Sequence, residues 1–379
     1  MNPIQSSNGG SGSGLADRTA GKPAGYTGEL TQQQSSTSPF LPAGKTMVIA
    51  EIGVNHDGSV DRALELVRKA ADCGVDAVKV QVFSADRLLH PSSALAEYQK
   101  RSLLDESPID MLRRYEMGEG ELRRIVGEIR RLNLLPLATP FSPEDVGVIE
   151  SLDLPAIKIA SPDVVNWPLL RRAARSGLPM LVSTGAANLN EISSSVAWLR
   201  GWGARFALLH CISSYPTPAQ SANLCWIGEL AERFGVPVGF SDHTTEVVAG
   251  AMAVAAGAVI LEKHLTYDRG AAGPDHAASL DPHDFADYVQ LVRLAERMRG
   301  TKGKRVLEIE REVRTVSRQS LVAARDLPAG HRIAEQDLKV QRPGTGIPAS
   351  ALPSIVGQRT SHAIKAGQML NWQILSDAA

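Results

Sequence analysis

The segment AVILEKHL, at residues 258–265, is a short apolar run that ends in charged and polar side chains. Its length and apolar character indicate a buried β-strand. Similar runs occur earlier in the chain: MVIAEIG (47–53), AVKVQVF (77–83), LPLATPF (135–141), AIKIAS (156–161), PMLVSTG (179–185), FALLHC (206–211) and PVGFSDH (237–243).

Helical patterns separate these runs. Leu122, Ile125, Val126 and Ile129, for example, occupy one face of a helix. Strands that alternate with helices over this length predict a parallel (β/α)8 TIM barrel. An open doubly wound sheet is the alternative architecture.

Nearly every predicted strand carries polar or charged side chains close to its end. Such groups are costly to bury unless they are paired or bind a ligand. The carboxyl ends of the strands of a TIM barrel form the mouth, where ligands bind. We therefore expect a functional site there, built from Glu51, Lys79, Gln81, Thr139, Lys158, Ser161, Ser183, Thr184, His210, Ser241, Asp242, His243, Glu262, Lys263 and His264.

Two lysines, Lys79 and Lys158, stand on different strands of this predicted mouth. Ammonium groups held beside hydroxyl groups suit a small ligand that carries phosphate and carboxylate. The alternative is that one lysine forms a Schiff base with a carbonyl substrate. The neighbouring hydroxyl groups belong to Thr139, Ser161, Ser183 and Ser241.

His243 and His264 end the seventh and eighth predicted strands, which are neighbours in a closed barrel. Two imidazoles so placed can hold a divalent metal, although buried histidines also serve as ordinary polar residues. Glu51 and Glu262 are candidate acid–base groups or partners of sugar hydroxyls. Asp275 follows the last strand in the motif GPDH, which either overhangs the mouth or forms a tight turn.

The remaining segments predict a second, smaller domain. Residues 1–45 are rich in Gly, Ser, Gln and Thr, which is typical of a disordered tail. The barrel is expected over 46–300 and a linker over 301–312. Residues 313–379 contain short runs broken by Pro and Gly, which indicate a compact, loop-rich domain with short strands. The long connection at 84–134 either contacts the substrate or adds a peripheral helix.

Composition excludes several classes of function. The formal net charge of −1 over 379 residues gives no support for a nucleic-acid or membrane partner. No apolar run approaches the length needed to span a bilayer. The three cysteines lack CxxC spacing, so neither a structural zinc site nor a disulfide framework is expected. A reducing cytoplasmic location fits this cysteine usage.

Several motifs together resemble one family. AEIGVNHDGS, AVKVQVF, TPF, KIAS, STG, HCISSYPTP, GFSDHT, LEKHLT and GPDHAAS follow one another in this order. They resemble the sialic acid synthase family, which includes the N-acetylneuraminate, legionaminate and pseudaminate synthases. The later motifs AGHRI and RPGTGI resemble that family's antifreeze-like SAF domain, a small domain of the β-clip type. The resemblance covers about residues 47–375.

The resemblance implies a metal-dependent condensation of phosphoenolpyruvate with an N-acylated amino sugar. It places Glu51 beside the metal and the acceptor, and gives catalytic roles to Glu51, Lys79 and Lys158. His243 and His264 would hold the metal, with Mn²⁺ expected first and Mg²⁺ or Co²⁺ as alternatives. The positions that match phosphoenolpyruvate contacts are Lys79, Thr139, Lys158, Ser161, Ser183, Ser213 and Ser241.

The same resemblance assigns the acceptor sugar. Tyr215 would line the site, and Asp275 would contact the sugar. Arg342 would reach the N-acyl group from the C-terminal domain of a partner subunit, since family members are typically domain-swapped homodimers. Three residues depart from the usual pattern: Pro162 replaces a common glycine, Asp163 a glutamate and Ala186 a methionine. These departures bear on the acceptor's identity more than on the class of reaction.

Two other functions compete with this interpretation. A 3-deoxy-octulosonate-8-phosphate type synthase shares the barrel and the chemistry, but the SAF-like domain and the motif SDHT argue against it. A non-catalytic carbohydrate-binding protein would be expected to lose the lysines and histidines that this chain retains. The sequence thus predicts a cytoplasmic nonulosonic acid synthase that converts N-acetylmannosamine to N-acetylneuraminate. The alternatives are legionaminate or pseudaminate synthesis from a 2,4-diacetamido-trideoxyhexose, and a 6-phosphorylated acceptor.

Overall fold

Eight parallel strands form a closed barrel. The structure is a computed structural model that describes residues 44–90 and 107–374. The first strand pairs with both the second and the eighth, and Glu51 lies opposite His264 in this register. The predicted TIM barrel is confirmed, and the open sheet is excluded. The strands are β1 Met47–Glu51, β2 Ala77–Val82, β3 Leu135–Pro140, β4 Ile157–Ile159, β5 Met180–Ser183, β6 Phe206–Cys211, β7 Val238–Asp242 and β8 Ile260–His264.

Helices connect these strands, and local sequence sets their ends. Ser59 caps the first long helix by accepting a hydrogen bond from the Arg62 N–H, and Gly74 follows its end with a left-handed φ of 78°. Asn188 and Glu191 form a capping box at another helix. The helices of the barrel unit are Val60–Asp72, Ala85–Leu88, Pro108–Tyr115, Glu119–Arg131, Asp145–Ser151, Trp167–Arg175, Leu189–Gly201, Cys225–Phe234, Ala249–Ala255 and Pro282–Arg299.

Side chains alternate between two apolar layers along each strand. Inward side chains such as Met47, Ile49 and Leu209 fill the barrel interior. Outward side chains such as Val48, Phe240 and Leu261 pack beneath the helices. This alternation decides which polar residues at the strand ends face the cavity.

The helix Pro282–Arg299 is bonded to the amino end of the barrel through Arg293. Arg293 donates a 2.7 Å hydrogen bond to the Thr46 carbonyl and forms a 2.6 Å ion pair with Asp76. The Asp76 carboxylate also accepts a hydrogen bond from the Val48 N–H at 2.9 Å. The beginning of the barrel is therefore bonded directly to its last helix.

The chain divides into two compact units between Arg299 and Gly300. In the second unit β9 (Ser320–Ala323) pairs antiparallel with β10 (Leu338–Gln341), and its helices are Arg311–Ser317 and Leu352–Ile355. Buried Asp337 ties its loops together by binding Arg325, His331 and the Ala334 N–H. The end of the segment predicted as a linker, 301–312, enters the first of these helices. The tail predicted over 1–45 lies outside the described residues except for its last two.

Among residues 44–90 and 107–374, none of the helices combines the length and the apolar character that crossing a lipid bilayer requires. The cytoplasmic location stays a prediction.

Candidate active site

A cavity of about 310 Å³ opens at the carboxyl ends of the barrel strands. One part of its wall is polar and the other is apolar, as in many small-molecule sites. The polar wall consists of Lys79, Gln81, Thr139, Lys158, Ser161, Ser183, Tyr215, Ser241, His243, Glu262, His264 and Asp275. The apolar wall includes Val54, Phe83, Leu88, Leu89, Leu112 and Phe141.

Lys79 and Lys158 are both buried at the floor of this cavity. Glu262 lies between them, with carboxylate oxygens 3.8 Å from Lys79 Nζ and 3.5 Å from Lys158 Nζ. Lys79 also forms an ion pair with Glu51 and donates a 2.9 Å hydrogen bond to Thr139. The two ammonium groups are therefore held in place by carboxylates before any ligand binds.

Burial and these contacts together shift the pKa values of the two lysines in opposite directions. Burial would lower the pKa of Lys79, but the Glu262 and Glu51 carboxylates outweigh it and raise that pKa. Burial lowers the pKa of Lys158; Glu262 opposes this shift and the Lys79 charge adds to it. Burial raises the pKa of Glu51 in spite of its ion pair with Lys79.

Hydroxyl groups surround the two lysines. Ser241 donates a 3.0 Å hydrogen bond to Glu262, and the Ser161 hydroxyl accepts one of 3.0 Å from the Gly185 N–H. The Ser183 hydroxyl is buried and has no hydrogen-bond partner among the described residues. A buried hydroxyl without a partner is costly in the free protein and is available to a ligand oxygen.

His243 and His264 lie next to each other in the cavity wall, with ring centroids 5.6 Å apart. The Nδ1 atom of His243 lies 2.9 Å from the Ile212 carbonyl, so the tautomer that donates there leaves Nε2 free to bind a metal. His264 Nδ1 has no hydrogen bond within the described chain, and its nearest charged partner is Asp275 Oδ2 at 3.6 Å. Burial, followed by the nearby positive charges, lowers the pKa of His264 well below its ordinary value.

Tyr215 and Asp275 lie beside the two imidazoles. The Tyr215 ring is tilted over His243, with centroids 4.1 Å apart. Burial, followed by the charge of Glu51, raises the pKa of Asp275 to about 7. Pro274 and Asp275 of the GPDH segment thus line the cavity, which agrees with the first of the two alternatives that the sequence left open, an overhang of the mouth or a tight turn.

Comparisons with known proteins identify the family. Residues 66–304 match the NeuB family and residues 318–375 match the SAF domain. The N,N'-diacetyllegionaminic acid synthase of Legionella pneumophila is 37% identical over 88% of this chain and 96% of its own length. The N-acetylneuraminate-9-phosphate synthase of Mus musculus is 30% identical over 82% of this chain and 88% of its own length.

A solved structure agrees with these matches. The N-acetylneuraminic acid (sialic acid) synthetase of Leptospira borgpetersenii superposes with a TM-score of 0.66 at 31% identity, over 71% of this chain and 90% of that one. The chain belongs to the NeuB family. It is an enzyme of the sialic acid synthase type, and its SAF domain is confirmed.

Most residues that the resemblance assigned to this NeuB-family site line one cavity, and three do not. Glu51 lies behind Lys79, fully buried, where it accepts hydrogen bonds from the Gly53 N–H and Gln81. Ser213 lines a separate cavity of about 580 Å³, although its hydroxyl and that of Ser161 both approach Gly185. Arg342 is exposed in the second unit, in the loop after β10.

Strand alternation also places some predicted groups away from the NeuB-family cavity. His210 was expected at the mouth, but it points outward because its neighbour Leu209 fills the barrel interior. There its Nε2 lies 2.7 Å from the Ala222 carbonyl. Asp242 and Lys263 also point outward, because the residues on either side of each of them face the cavity.

Two features of the site were missed by sequence reasoning. Glu262 was only a candidate acid–base group, whereas it is the shared counter-charge of both lysines; its position two residues before His264 was the signal that both face inward. Cys211 is absent from the residues that the sequence assigns to the site, but its sulfur lies 3.6 Å from His243 Nδ1. The long 84–134 connection supplies Leu88, Leu89 and Leu112 to the cavity wall.

Proposed function

We propose that this enzyme joins phosphoenolpyruvate to an N-acylated amino sugar and releases a nonulosonic acid and phosphate. The observation that carries the proposal is one cavity with two buried lysines on its floor and two imidazoles beside them. In this reaction C3 of phosphoenolpyruvate bonds to the aldehyde carbon of the open-chain sugar. Water adds at C2, and phosphate leaves by cleavage of its C–O bond.

The lysines and hydroxyl groups suit the phosphoenolpyruvate end of the cavity. Lys79 and Lys158 supply fixed positive charge to the phosphate and carboxylate groups. The unpaired Ser183 hydroxyl and the Ser161 hydroxyl can donate to the same oxygens, whereas the Ser241 hydroxyl already donates to Glu262. A Schiff base at Lys79 is disfavoured because its raised pKa keeps the amine protonated.

The imidazoles fit a divalent metal, with Mn²⁺ proposed first and Mg²⁺ or Co²⁺ as alternatives. The free Nε2 of His243 and the unbonded Nδ1 of His264 are the observations that support this fit. No third His, Cys, Asp or Glu within residues 44–90 and 107–374 completes a compact set with them. The remaining coordination positions would therefore be open to water and substrate. When bound, the metal would act as a Lewis acid towards the acceptor's aldehyde oxygen.

The side chains around the acceptor manage its protons and its orientation. Asp275 has a pKa of about 7, so its carboxyl can hold a proton or accept one near neutral pH. Glu51 forms an ion pair with Lys79 and accepts a hydrogen bond from the Gly53 N–H, and these contacts suit a group that orients Lys79 and tunes its charge. Tyr215 covers His243 and narrows the space open to water.

The sequence alone favours N-acetylmannosamine as the acceptor, but we propose a 2,4-diacetamido-trideoxyhexose first and N-acetylmannosamine second. The legionaminic acid synthase is more similar to this chain than the N-acetylneuraminate-9-phosphate synthase. The apolar wall formed with Phe83, Leu88 and Leu112 suits a methyl-bearing, diacetylated sugar. The solved Leptospira protein is an N-acetylneuraminic acid synthetase, and this product is the reason we keep N-acetylmannosamine as the second acceptor. In the described chain, Lys79 and Lys158 are the only basic residues other than histidine that line the cavity, which disfavours a phosphorylated acceptor.

Phosphate release from phosphoenolpyruvate tests this function. The purified full chain is assayed with Mn²⁺ and each candidate sugar, with EDTA and with a His243→Ala variant as controls. We expect release that requires one sugar and the metal, and loss of about a thousandfold or more in kcat/KM for His243→Ala. Release with no sugar, or equal turnover in EDTA, would overturn the proposal.

We also propose a domain-swapped homodimer in which Arg342 of one subunit completes the partner's site. The proposal is supported by the resemblance and by the exposure of Arg342 in the SAF domain. A guanidinium group there would donate hydrogen bonds to the acyl oxygen of the acceptor.

A further inference from the structure

A buried ion pair lies directly behind the two imidazoles, outside the barrel interior. Asp242 and Lys263 are cross-strand neighbours in the register of β7 and β8, and both are fully buried. Lys263 Nζ lies 3.2 Å from Asp242 Oδ2. Each residue directly precedes a cavity histidine, so the pair joins the backbones that carry His243 and His264.

Both members of this pair also hold the backbone on the far side of His243. Asp242 Oδ1 accepts a 2.8 Å hydrogen bond from the Thr244 N–H, and Lys263 donates to the Thr244 carbonyl. We call Asp242, Lys263 and the Thr244 backbone the Asp242–Lys263 clamp. Lys263 of β8 therefore fixes the residue that follows His243 of β7.

The clamp completes a set of restraints on His243. Its carbonyl accepts a 2.8 Å hydrogen bond from the Thr217 N–H, and its Nδ1 lies 2.9 Å from the Ile212 carbonyl. Together these contacts fix the backbone of His243 on both sides and the orientation of its ring. Such outer contacts orient metal ligands and tune their affinity.

Helix packing buries the clamp. The Tyr288 ring lies 5.9 Å from Lys263 Nζ, and a side chain at Gly250 would come within 2.4 Å of that ring. A buried ion pair is weak support for stability, because an apolar pair of similar size is often equally stable. The directed bonds to Thr244 are what an apolar pair would not supply.

We propose that Asp242 and Lys263 are positioning residues that set the direction of His243 towards a divalent cation shared with His264. This inference rests on the proposed function, because it assigns the imidazoles to a metal. It concerns two outward-facing residues that do not touch the substrate cavity.

The test uses the full-length double variant Asp242→Leu/Lys263→Met, which removes both charges at once and so leaves no unpaired buried charge. Mn²⁺ binding is measured by electron paramagnetic resonance, and phosphoenolpyruvate binding by calorimetry. We expect the Mn²⁺ dissociation constant to rise about 10- to 100-fold, while phosphoenolpyruvate affinity stays near that of the parent. The melting temperature should fall without loss of the folded state, because the Thr244 N–H and carbonyl lose their buried partners. An unchanged Mn²⁺ dissociation constant in this folded variant would overturn the proposal.

A matched control removes the ion pair at the opposite end of the barrel. Asp76→Leu/Arg293→Met is expected to leave Mn²⁺ affinity unchanged, and an equal loss there would overturn a specific role of the clamp. If the first variant does not fold, the variant Asp242→Asn/Lys263→Met takes its place, because asparagine keeps an acceptor for the Thr244 N–H. It should weaken Mn²⁺ binding to a smaller extent. Full Mn²⁺ affinity in this variant would also count against the clamp.

Histidine side-chain NMR separates this inference from the proposed function. A parent protein that binds no Mn²⁺ contradicts the metal-dependent function itself. In that case the ring ¹⁵N signals of His243 still report on the clamp: they should shift in the double variant and stay fixed in the control. Unshifted signals would overturn the clamp independently.

Discussion

Glu262 is the residue that balances the charges of the cavity. It binds Ser241 through one oxygen and lies within 4 Å of both lysine ammonium groups. A carboxylate inside an anion site lets two lysines stay charged in a buried place before the substrate arrives. The same carboxylate opposes the effect of burial on Lys158.

Glu262→Gln should therefore make Lys158 easier to deprotonate. Since Glu262 raises the pKa of Lys158, its removal lowers that pKa further, and the ammonium group is lost at a lower pH. We expect the basic limb of the kcat/KM profile for phosphoenolpyruvate to move to lower pH, with a loss of about 10- to 100-fold at slightly alkaline pH. Glu229→Gln, an exposed change on the helix Cys225–Phe234, is the control. An unmoved basic limb would contradict this account.

At the scale of elements, Gly239 of β7 lies directly against the backbone of β8. A Cβ atom on Gly239 would lie 2.5 Å from the backbone oxygen of Ile260. Real Cβ atoms do not come this near a backbone atom, so only glycine fits here without moving a strand. Ser241, Glu262 and the two histidines lie just beyond this contact on the same two strands.

Gly239→Ala should force these two strands apart. We expect a loss of about 3 kcal/mol or more in the free energy of unfolding, because backbone atoms cannot yield as a side chain can. Gly147→Ala is the matched control, since nothing lies within 4 Å of its added Cβ inside the helix Asp145–Ser151. It should be stabilising by roughly 0.5–1 kcal/mol. Denaturant unfolding measures both, and equal effects would refute the strand argument.

The elements that could be predicted are those whose pattern is local. Each strand of the barrel was predicted from a short apolar run, and the cavity from the polar residues at the strand ends. The outward direction of His210 could not be read from its run, because it depends on which neighbour fills the interior. The bonds from Asp242 and Lys263 to Thr244 depend on the pairing of two strands that are distant in sequence. Arg342 lies in another unit, so no local pattern relates it to the cavity.

At the scale of the whole molecule, the proposed dimer makes each site depend on two chains. An equal mixture of Arg342→Ala and His243→Ala subunits would contain mixed dimers after exchange. In a swapped dimer, one site of each mixed dimer combines an intact His243 with an intact Arg342. Random exchange should then restore about a quarter of the parental activity. Phosphate release before and after exchange measures this recovery.

Each variant alone, taken through the same exchange, is the control for this mixture. If Arg342 served the site of its own chain, every site in the mixture would carry one lesion. Activity that stays at the level of the separate variants would therefore refute the swapped arrangement.

The bond between Arg293 and Thr46 has a consequence for chain connectivity. The beginning of the first strand and the last helix of the barrel lie side by side and are bonded to each other. The barrel is therefore held closed by contacts between its two ends, which a covalent connection could join. A short linker from the end of that helix to Thr46 would allow new termini to be opened in a loop elsewhere. The barrel unit is thus a natural candidate for circular permutation, with its cavity kept whole.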